Sequence, residues 1–290
     1  MKNKVHCEDN LKLMETLPSK SIDLIYIDPP FLTGKDFKEY DDRWFDMGYF
    51  LEYMDLRLWH CHRLLKDTGS LYLHCDYRTN YKLRVLLDKI FGEKNFANEI
   101  VWERIRPGMN ASSISKMFPR NIDYIIVYKK TKKATFNKLY TKITENSKKQ
   151  YTKKGTGRFF KTTGLGMYSK ESIDKMKKNN IIYTSKTGKQ YKKIYLDECK
   201  GTLVGSIWND ILGFAHTHNS KEKTNYPTQK PIALLERIIK SSSNEGDLVA
   251  DFFCGSGTTL VAAKNLKRQY LGCDKNPEAV KITKERLRCQ

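Results

Sequence analysis

The chain has 290 residues, 39% hydrophobic and 30% charged, which suits a buried core without disulfide or metal staples and excludes a disordered tail. No apolar run approaches the roughly 18–20 residues that span a bilayer, and Met1-Lys2-Asn3-Lys4 leads into no apolar signal stretch, so a cytoplasmic, non-membrane protein is expected. The formal charge of +20 is concentrated: residues 129–200 hold 20 Lys and one Arg against five acids, +16 in all.

In chain order, residues 10–17 have helical spacing and end at Pro18-Ser19. Residues 21–27 (SIDLIYI) form a β-rich run that stops at Asp28-Pro29-Pro30. Residues 50–65 read as a long amphipathic helix closed by Lys66-Asp67-Thr68-Gly69. Residues 70–75 read as an apolar strand and 80–91 as a helix stopped by Gly92. Two more strands are expected at 99–103 and 122–128. From 129 to about 205 the sequence is basic and weakly periodic. The rhythm then returns with a helix at 232–240, a strand at 248–253, a helix at 258–267 and a strand at 269–273. Strands alternating with helices imply an α/β fold with a mostly parallel sheet. It would be assembled from residues 1–128 and 206–290, with 129–205 as an insertion.

In the insertion, lysines alternate with aromatics such as Tyr151, Phe159, Phe160, Tyr183, Tyr191 and Tyr195. Ammonium groups meet phosphates and rings pack on bases, so the pattern suits nucleic acid; a lysine-rich solvated surface is the bland alternative. Lys153, Lys154, Lys192 and Lys193 are the candidate DNA-binding residues.

Near the other end, Asp251-Phe252-Phe253-Cys254-Gly255-Ser256-Gly257 runs from a buried strand into a glycine turn, and the next strand leads to Asp274. This is the layout of a nucleoside-binding βαβ half: Gly255 and Gly257 let backbone approach the ligand, and Asp274 binds ribose hydroxyls. Leu260 stands where a dinucleotide fingerprint has its third glycine. A ligand without phosphates fits better, and S-adenosylmethionine is one. Asp28-Pro29-Pro30-Phe31 follows a strand directly, where an open sheet presents chemistry. The prolines lack N–H groups, so their carbonyls act as pure acceptors. Beside Asp28 and an aromatic ring, they suit a planar base bearing an exocyclic amine; a Pro-Pro turn capped by Asp28 is the alternative.

Together these motifs resemble those of bacterial β-class DNA amino-methyltransferases, which methylate the exocyclic nitrogen of adenine or cytosine. His6-Cys7-Glu8-Asp9-Asn10 with Leu17-Pro18 resembles that family's opening segment, and Asp28–Phe31 its catalytic motif. Phe91-Gly92-Glu93 and Asn98-Glu99-Ile100-Val101-Trp102 resemble its middle, and 226–231 (YPTQKP) the segment before the glycine turn. The order of motifs distinguishes this class from its circularly permuted relatives. The likeness covers roughly residues 5–130 and 205–280, and leaves the insertion unmatched.

The resemblance implies a Rossmann-like methyltransferase fold with a target-recognition insertion, S-adenosylmethionine as cofactor and double-stranded DNA as substrate. It implies that Asp9 contacts the cofactor adenine and that Thr228 and Lys230 hold its methionine carboxylate. Asp251, Phe252, Phe253, Gly255, Gly257 and Asp274 complete the cofactor site. A companion restriction endonuclease and a homodimer are implied as partners. Asp before Pro-Pro favours adenine N6 over cytosine N4. Base flipping would precede chemistry, and residues 33–47 either close over the substrate or form a loop packed by its own aromatics. No metal is expected, since His60-Cys61-His62 and His216-Thr217-His218 lack partner motifs. His74-Cys75-Asp76 reads as a core histidine and thiol at a strand end. A nicotinamide-dependent oxidoreductase and a catalytically silent DNA-binding protein are the alternatives from other classes.

Overall fold

The computed structural model describes residues 2–37, 40–106, 116–155, 157–214, 222–224 and 226–289. The chain divides into two compact units, Met1–Asn137 with Gly205–Gln290, and Lys138–Val204.

The first half of the larger unit runs β1 (Lys4–Cys7), α1 (Asn10–Thr16), β2 (Ile22–Ile27), α2 (Met47–Leu64), β3 (Leu65–Cys75), α3 (Asn80–Phe91), β4 (Phe96–Glu103) and β5 (Ile122–Lys129). The smaller unit holds β6 (Lys153–Gly155), β7 (Arg158–Gly164), α4 (Lys170–Lys178), β8 (Ile182–Thr184) and β9 (Gln190–Tyr195). The chain then returns through β10 (Ile207–Trp208), α5 (Ile232–Ser242), β11 (Leu248–Asp251), α6 (Thr258–Asn265), β12 (Gln269–Asp274) and α7 (Pro277–Arg288).

One eight-stranded sheet, in the order β1-β12-β11-β2-β3-β5-β4-β10, carries the larger unit. The strands from β1 through β3 pair in parallel, and β5 is antiparallel to both of its neighbours. This is the mostly parallel α/β sheet expected from the sequence. All six residues of β2 are buried, which fits a central strand covered on both faces. On one face α1, α2 and α3 bury Leu13, Met14, Phe50, Met54, Leu58, Leu83 and Leu87. Leu234, Leu235, Ile238 and Ile239 of α5 are likewise buried, and α5 contacts β2 and β3.

Differences from the sequence expectations have local causes. The strand expected at 70–75 starts at Leu65, because Lys66 is neutralised by Asp23, with Nζ 2.9 and 2.7 Å from its two carboxylate oxygens. Asp23 also accepts the Leu248 N–H, so its polar side chain ties three strands together. The helix expected at 50–65 begins at Met47, where Asp46 accepts the Tyr49 N–H. The separate unit begins at Lys138, not 129. Residues 129–137 stay with the larger unit through Lys130 N–H to Gly69 O, Thr135 N–H to Thr68 O and Asn137 N–H to Ser241 O.

Gly257 opens α6 in the left-handed region at φ 76°. A Cβ there would come closer than 3.0 Å to three side-chain atoms of Thr283 on α7. This glycine is required by helix packing. Gly257→Ala should therefore lower stability by about 2–4 kcal/mol, from left-handed strain and overpacking together. Adding Thr283→Ala should recover the packing part, as read from urea denaturation of both variants; equal stability of Gly257→Ala and wild type would refute the account.

Candidate functional site

The sheet reverses direction of winding between β2 and β11, whose parallel pairing sets Leu24 against Val249 and Ile25 against Ala250. Their carboxyl ends therefore lie side by side, where open α/β sheets bind ligands. A cavity of about 290 Å³ opens there, lined by residues from both halves of the unit. It collects Asp9, Asp28–Phe31, Thr228, Lys230, Asp251–Gly255 and Asp274. Gly257, expected in the cofactor site from its place in the motif, does not line the cavity.

The glycine turn is shaped by Asp251, whose carboxylate accepts the Phe253 N–H at 3.0 Å and the Thr259 hydroxyl at 2.5 Å. Each of its oxygens thus holds part of the turn. Phe252 lines the cavity while its ring sits in the core, and its carbonyl accepts Asn10 Nδ2 at 2.8 Å. Phe253 keeps part of its ring at the cavity. Gly255 has φ 48°, and a Cβ there would press on the Tyr226 ring at 3.1 Å. Asp274 accepts the Gly255 N–H at 2.9 Å and the Asn276 N–H at 2.9 Å. A carboxylate has about four acceptor positions, so Asp274 retains capacity for two ribose hydroxyls.

Asp9 caps α1 by accepting the Leu11 N–H at 2.9 Å. Arg57, buried on α2, donates Nε to Asn10 Oδ1 at 2.7 Å, places Nη2 3.3 Å from Asp9 Oδ2 and lies over the Tyr53 ring. One helical arginine thus fixes the opening segment. Nothing in the helical pattern of α2 announces it.

Asp28 follows β2 and is mostly buried. Its Oδ2 forms an ion pair with Lys230 Nζ, while Oδ1 is buried with no hydrogen-bond partner. Lys230, which the resemblance assigns to a cofactor carboxylate, here reaches the Asp28–Phe31 motif, with Nζ 5.4 Å above the Phe31 ring. Its segment is pinned by Gln229, which donates to Glu222 O at 2.7 Å and accepts the Thr224 N–H at 2.6 Å. Behind Phe31, at 5.7 Å between ring centroids, lies His74. That histidine is fully buried, with Nδ1 2.8 Å from Tyr26 Oη and Nε2 3.3 Å from Asp123 Oδ2. Arg104 completes the row by donating Nε to Asp123 at 2.9 Å. His74 is therefore a satisfied core residue that backs the Phe31 ring.

Asp42, with no signal of its own in the sequence, is fully buried after the catalytic motif. It accepts the backbone N–H groups of Leu32 and Thr33, the Thr33 hydroxyl and Trp44 Nε1. Trp44 packs edge-on against Phe50 and Tyr53, so this part of residues 33–47 is anchored, while Phe45 is 87% exposed. Cys254 is buried, and burial pushes its thiol well above the ordinary range, which suits packing rather than nucleophilic chemistry. Of the histidine pairs, His60 accepts from Arg63 and His62 contacts Lys130. His216-Thr217-His218 lies outside the described residues.

The smaller unit carries the sheet β8-β9-β7-β6. On one face Phe160, Tyr183 and Tyr195 pack together, with Lys153 Nζ 3.9 Å above Tyr183 and Lys193 Nζ 5.6 Å above Phe160. Lys192 instead reaches the Tyr168 hydroxyl at 3.1 Å, and Lys161 reaches Gln150 at 3.3 Å. Neighbours on a strand point to opposite faces, so Lys192 and Lys193 cannot act on one surface together. The side chain of Lys154 lies outside those described.

A glycine turn, a carboxylate at the end of the following strand and an acceptor cluster at one switch point have the layout of a nucleoside-dependent α/β enzyme. The family model described as DNA methylase, of the N6/N4 type, matches residues 22–285, and the chain belongs to that family. It is 34% identical to the type II methyltransferase M.EcaI of Enterobacter cloacae over 92% of this chain, and spans 65% of that relative's length. It is 28% identical to the DNA adenine methyltransferase YhdJ of Escherichia coli, over 96% of this chain and 80% of that one. Its fold is similar to that of M1.HpyAVI in complex with SAM, with a TM-score of 0.58, 20% identity and 98% of each chain covered.

The cofactor of this methyltransferase family is S-adenosylmethionine, and the lining fits it. The carboxylates Asp9, Asp28 and Asp274 suit a sulfonium and an ammonium, Lys230 suits a carboxylate, and Gly255 keeps the turn free of a side chain.

Burial raises the Asp251 carboxyl to about 7, helped by the charges of Asp28 and Asp274, although Thr259 and the Phe253 N–H oppose the shift. A carboxyl raised on folding contributes stability that is complete below its unfolded value and is lost as pH rises through about 7. Asp251→Asn removes this titration. Between about pH 4 and pH 7, wild type should lose stability relative to the variant by up to about 1.4 kcal/mol per pH unit. Urea denaturation across that range checks this, and a pH-independent difference would contradict it.

Proposed function

We propose that this chain is a site-specific DNA methyltransferase that transfers a methyl group from S-adenosylmethionine to N6 of an adenine flipped out of duplex DNA. The observation that carries the reading is the unpartnered Asp28 Oδ1, buried on a residue that lines the cavity together with Phe31 and the glycine turn. An exocyclic amine conjugates with its ring and is a poor nucleophile. Hydrogen bonds from it to Asp28 Oδ1 and a proline carbonyl would favour a pyramidal nitrogen and stabilise the charge that develops on it. The cofactor supplies a methyl group already activated by its sulfonium charge.

Phe31 offers a face for the flipped base, worth roughly 1–3 kcal/mol of stacking against the cost of extrusion. His74 backs that ring, and Trp102 packs edge-on against His74. Asp9 and Asp274 would bind the adenosine part, and Thr228 with Lys230 the methionine tail. Asp at the head of the catalytic motif and the likeness to an adenine methyltransferase favour adenine. Residues 138–204, with 17 basic residues against five acidic ones, would grip the duplex. Modification-sensitive sequencing of DNA from cells expressing the protein tests base and site together; N4-methylcytosine in place of N6-methyladenine would replace the adenine assignment.

Asp28→Ala should abolish methyl transfer while the protein still binds cofactor, as followed by tritium incorporation and calorimetry. Phe31→Tyr should keep activity and Phe31→Ala should lose it; equal rates for the two would remove the stacking role.

For the DNA grip, Lys161→Gln with Lys192→Gln removes two charges from the face opposite the aromatic cluster. This pair should flatten the slope of log affinity against log salt by about 1.8, at 0.9 per phosphate contact. Lys153→Gln with Lys193→Gln, on the face where Phe160, Tyr183 and Tyr195 pack together, should change it by less. Filter binding across a salt series decides, and equal slopes in all three proteins would make the lysines a solvated surface.

A further inference from the structure

The cavity brings together several anionic groups and a lysine whose position is informative. Lys230 and Asp28 stand 202 residues apart in sequence, and their side chains are only 13% and 16% exposed. Water cannot readily replace either partner in so buried a pair. The same ammonium lies 3.5 Å from the Thr228 carbonyl, at the root of the segment read as the cradle of the cofactor carboxylate. Asp28 Oδ1 is buried without a hydrogen-bond partner, whereas Oδ2 is occupied by Lys230. One cation therefore faces two claimants: the catalytic carboxylate and the carboxylate of the bound cofactor.

We propose that Lys230 is exchanged between Asp28 and the cofactor carboxylate, so that cofactor occupancy releases Asp28 Oδ2 to receive the target base. This rests on the methyltransferase reading above. Without cofactor, Lys230 neutralises Asp28 and lies over Phe31, covering the ring face that a base would use. With cofactor, the ammonium has a second anion to pair with, and the Asp28 carboxylate regains its full charge for the amine hydrogen that it accepts. Lys230 is thus a positioning residue for Asp28, and the exchange couples the cofactor site to the target-base site. The two anions compete, so removing the charge of one must strengthen binding of the other.

The test is calorimetric binding of S-adenosylhomocysteine to four proteins: wild type, Asp28→Asn, Lys230→Met and the double variant. This probe keeps the carboxylate and the ammonium and lacks the sulfonium, so attraction to sulfur plays no part. Any attraction of the ammonium to Asp28 is present with or without Lys230 and cancels in the four-protein comparison. Asp28→Asn should bind it about ten-fold more tightly than wild type. In the Lys230→Met background the same change should alter affinity less than two-fold. 5′-Methylthioadenosine, which has no amino-acid tail, should bind wild type and Asp28→Asn alike. Thermal melting of each variant separates misfolding from a binding effect, and Asp28→Glu with Lys230→Arg supplies a second, charge-conserving pair that should restore wild-type affinity. Unchanged or weaker binding by Asp28→Asn, or a tightening that persists without Lys230, overturns the exchange. Failure of wild type to bind S-adenosylhomocysteine at all overturns the methyltransferase reading itself.

Discussion

The cavity depends on one parallel pairing between strands from opposite ends of the chain, β2 and β11. Backbone hydrogen bonds there hold Asp28 and Asp251 at adjacent strand ends although more than two hundred residues separate them. Loop-closure entropy makes such a long-range pairing slow and costly to form. The fully buried apolar run of β2 and the Asp23 bridge to Lys66 and Leu248 offset that cost. Without this register the catalytic motif and the glycine turn would be two unrelated loops.

Bringing strand ends together also crowds carboxylates. Asp251 is pushed towards its neutral form and Asp274 is raised too, burial being the leading cause in both. Backbone N–H groups, Thr259 and Lys230 absorb what burial leaves uncompensated. A site arranged in this way is costly for the folded chain and favourable for a cationic ligand, as expected where function takes precedence over stability.

Legibility in the sequence follows the range of the interactions. The apolar run of residues 22–27 and the glycine turn announce β2 and the β11–α6 corner because their signals are local. Residues 66–69 read as the close of a helix, since Lys66, Asp67 and Gly69 are poor strand formers; the partner Asp23 makes Lys66 acceptable in a strand, and the pairing shifts register at that point. The edge strand β1 is hard to discern because half of its short length is exposed. Helix α7 does carry a local signal, Asn276 as cap before Pro277 with Glu278 in the first turn, although its apolar spacing is sparse. In the site, Asp28, Phe31, Gly255 and Asp274 sit in recognisable motifs. Arg57 and Asp42 do not: each is a lone polar residue whose contacts converge only after folding. The position of Lys230 on Asp28 is equally invisible, because a motif names a residue and not which of two partners it holds.

The smaller unit begins and ends at one place. Tyr140-Thr141 pairs antiparallel with Thr202-Leu203, and Val204 N–H bonds to Leu139 O. Departure and return strands run about 5 Å apart, so everything between them hangs from a two-stranded stem. Such a stem makes the region a replaceable cassette. Any segment whose ends meet at strand spacing could be spliced onto it without disturbing the register of the eight-stranded sheet. A lineage could then exchange this unit while inheriting the sheet and its cavity unaltered.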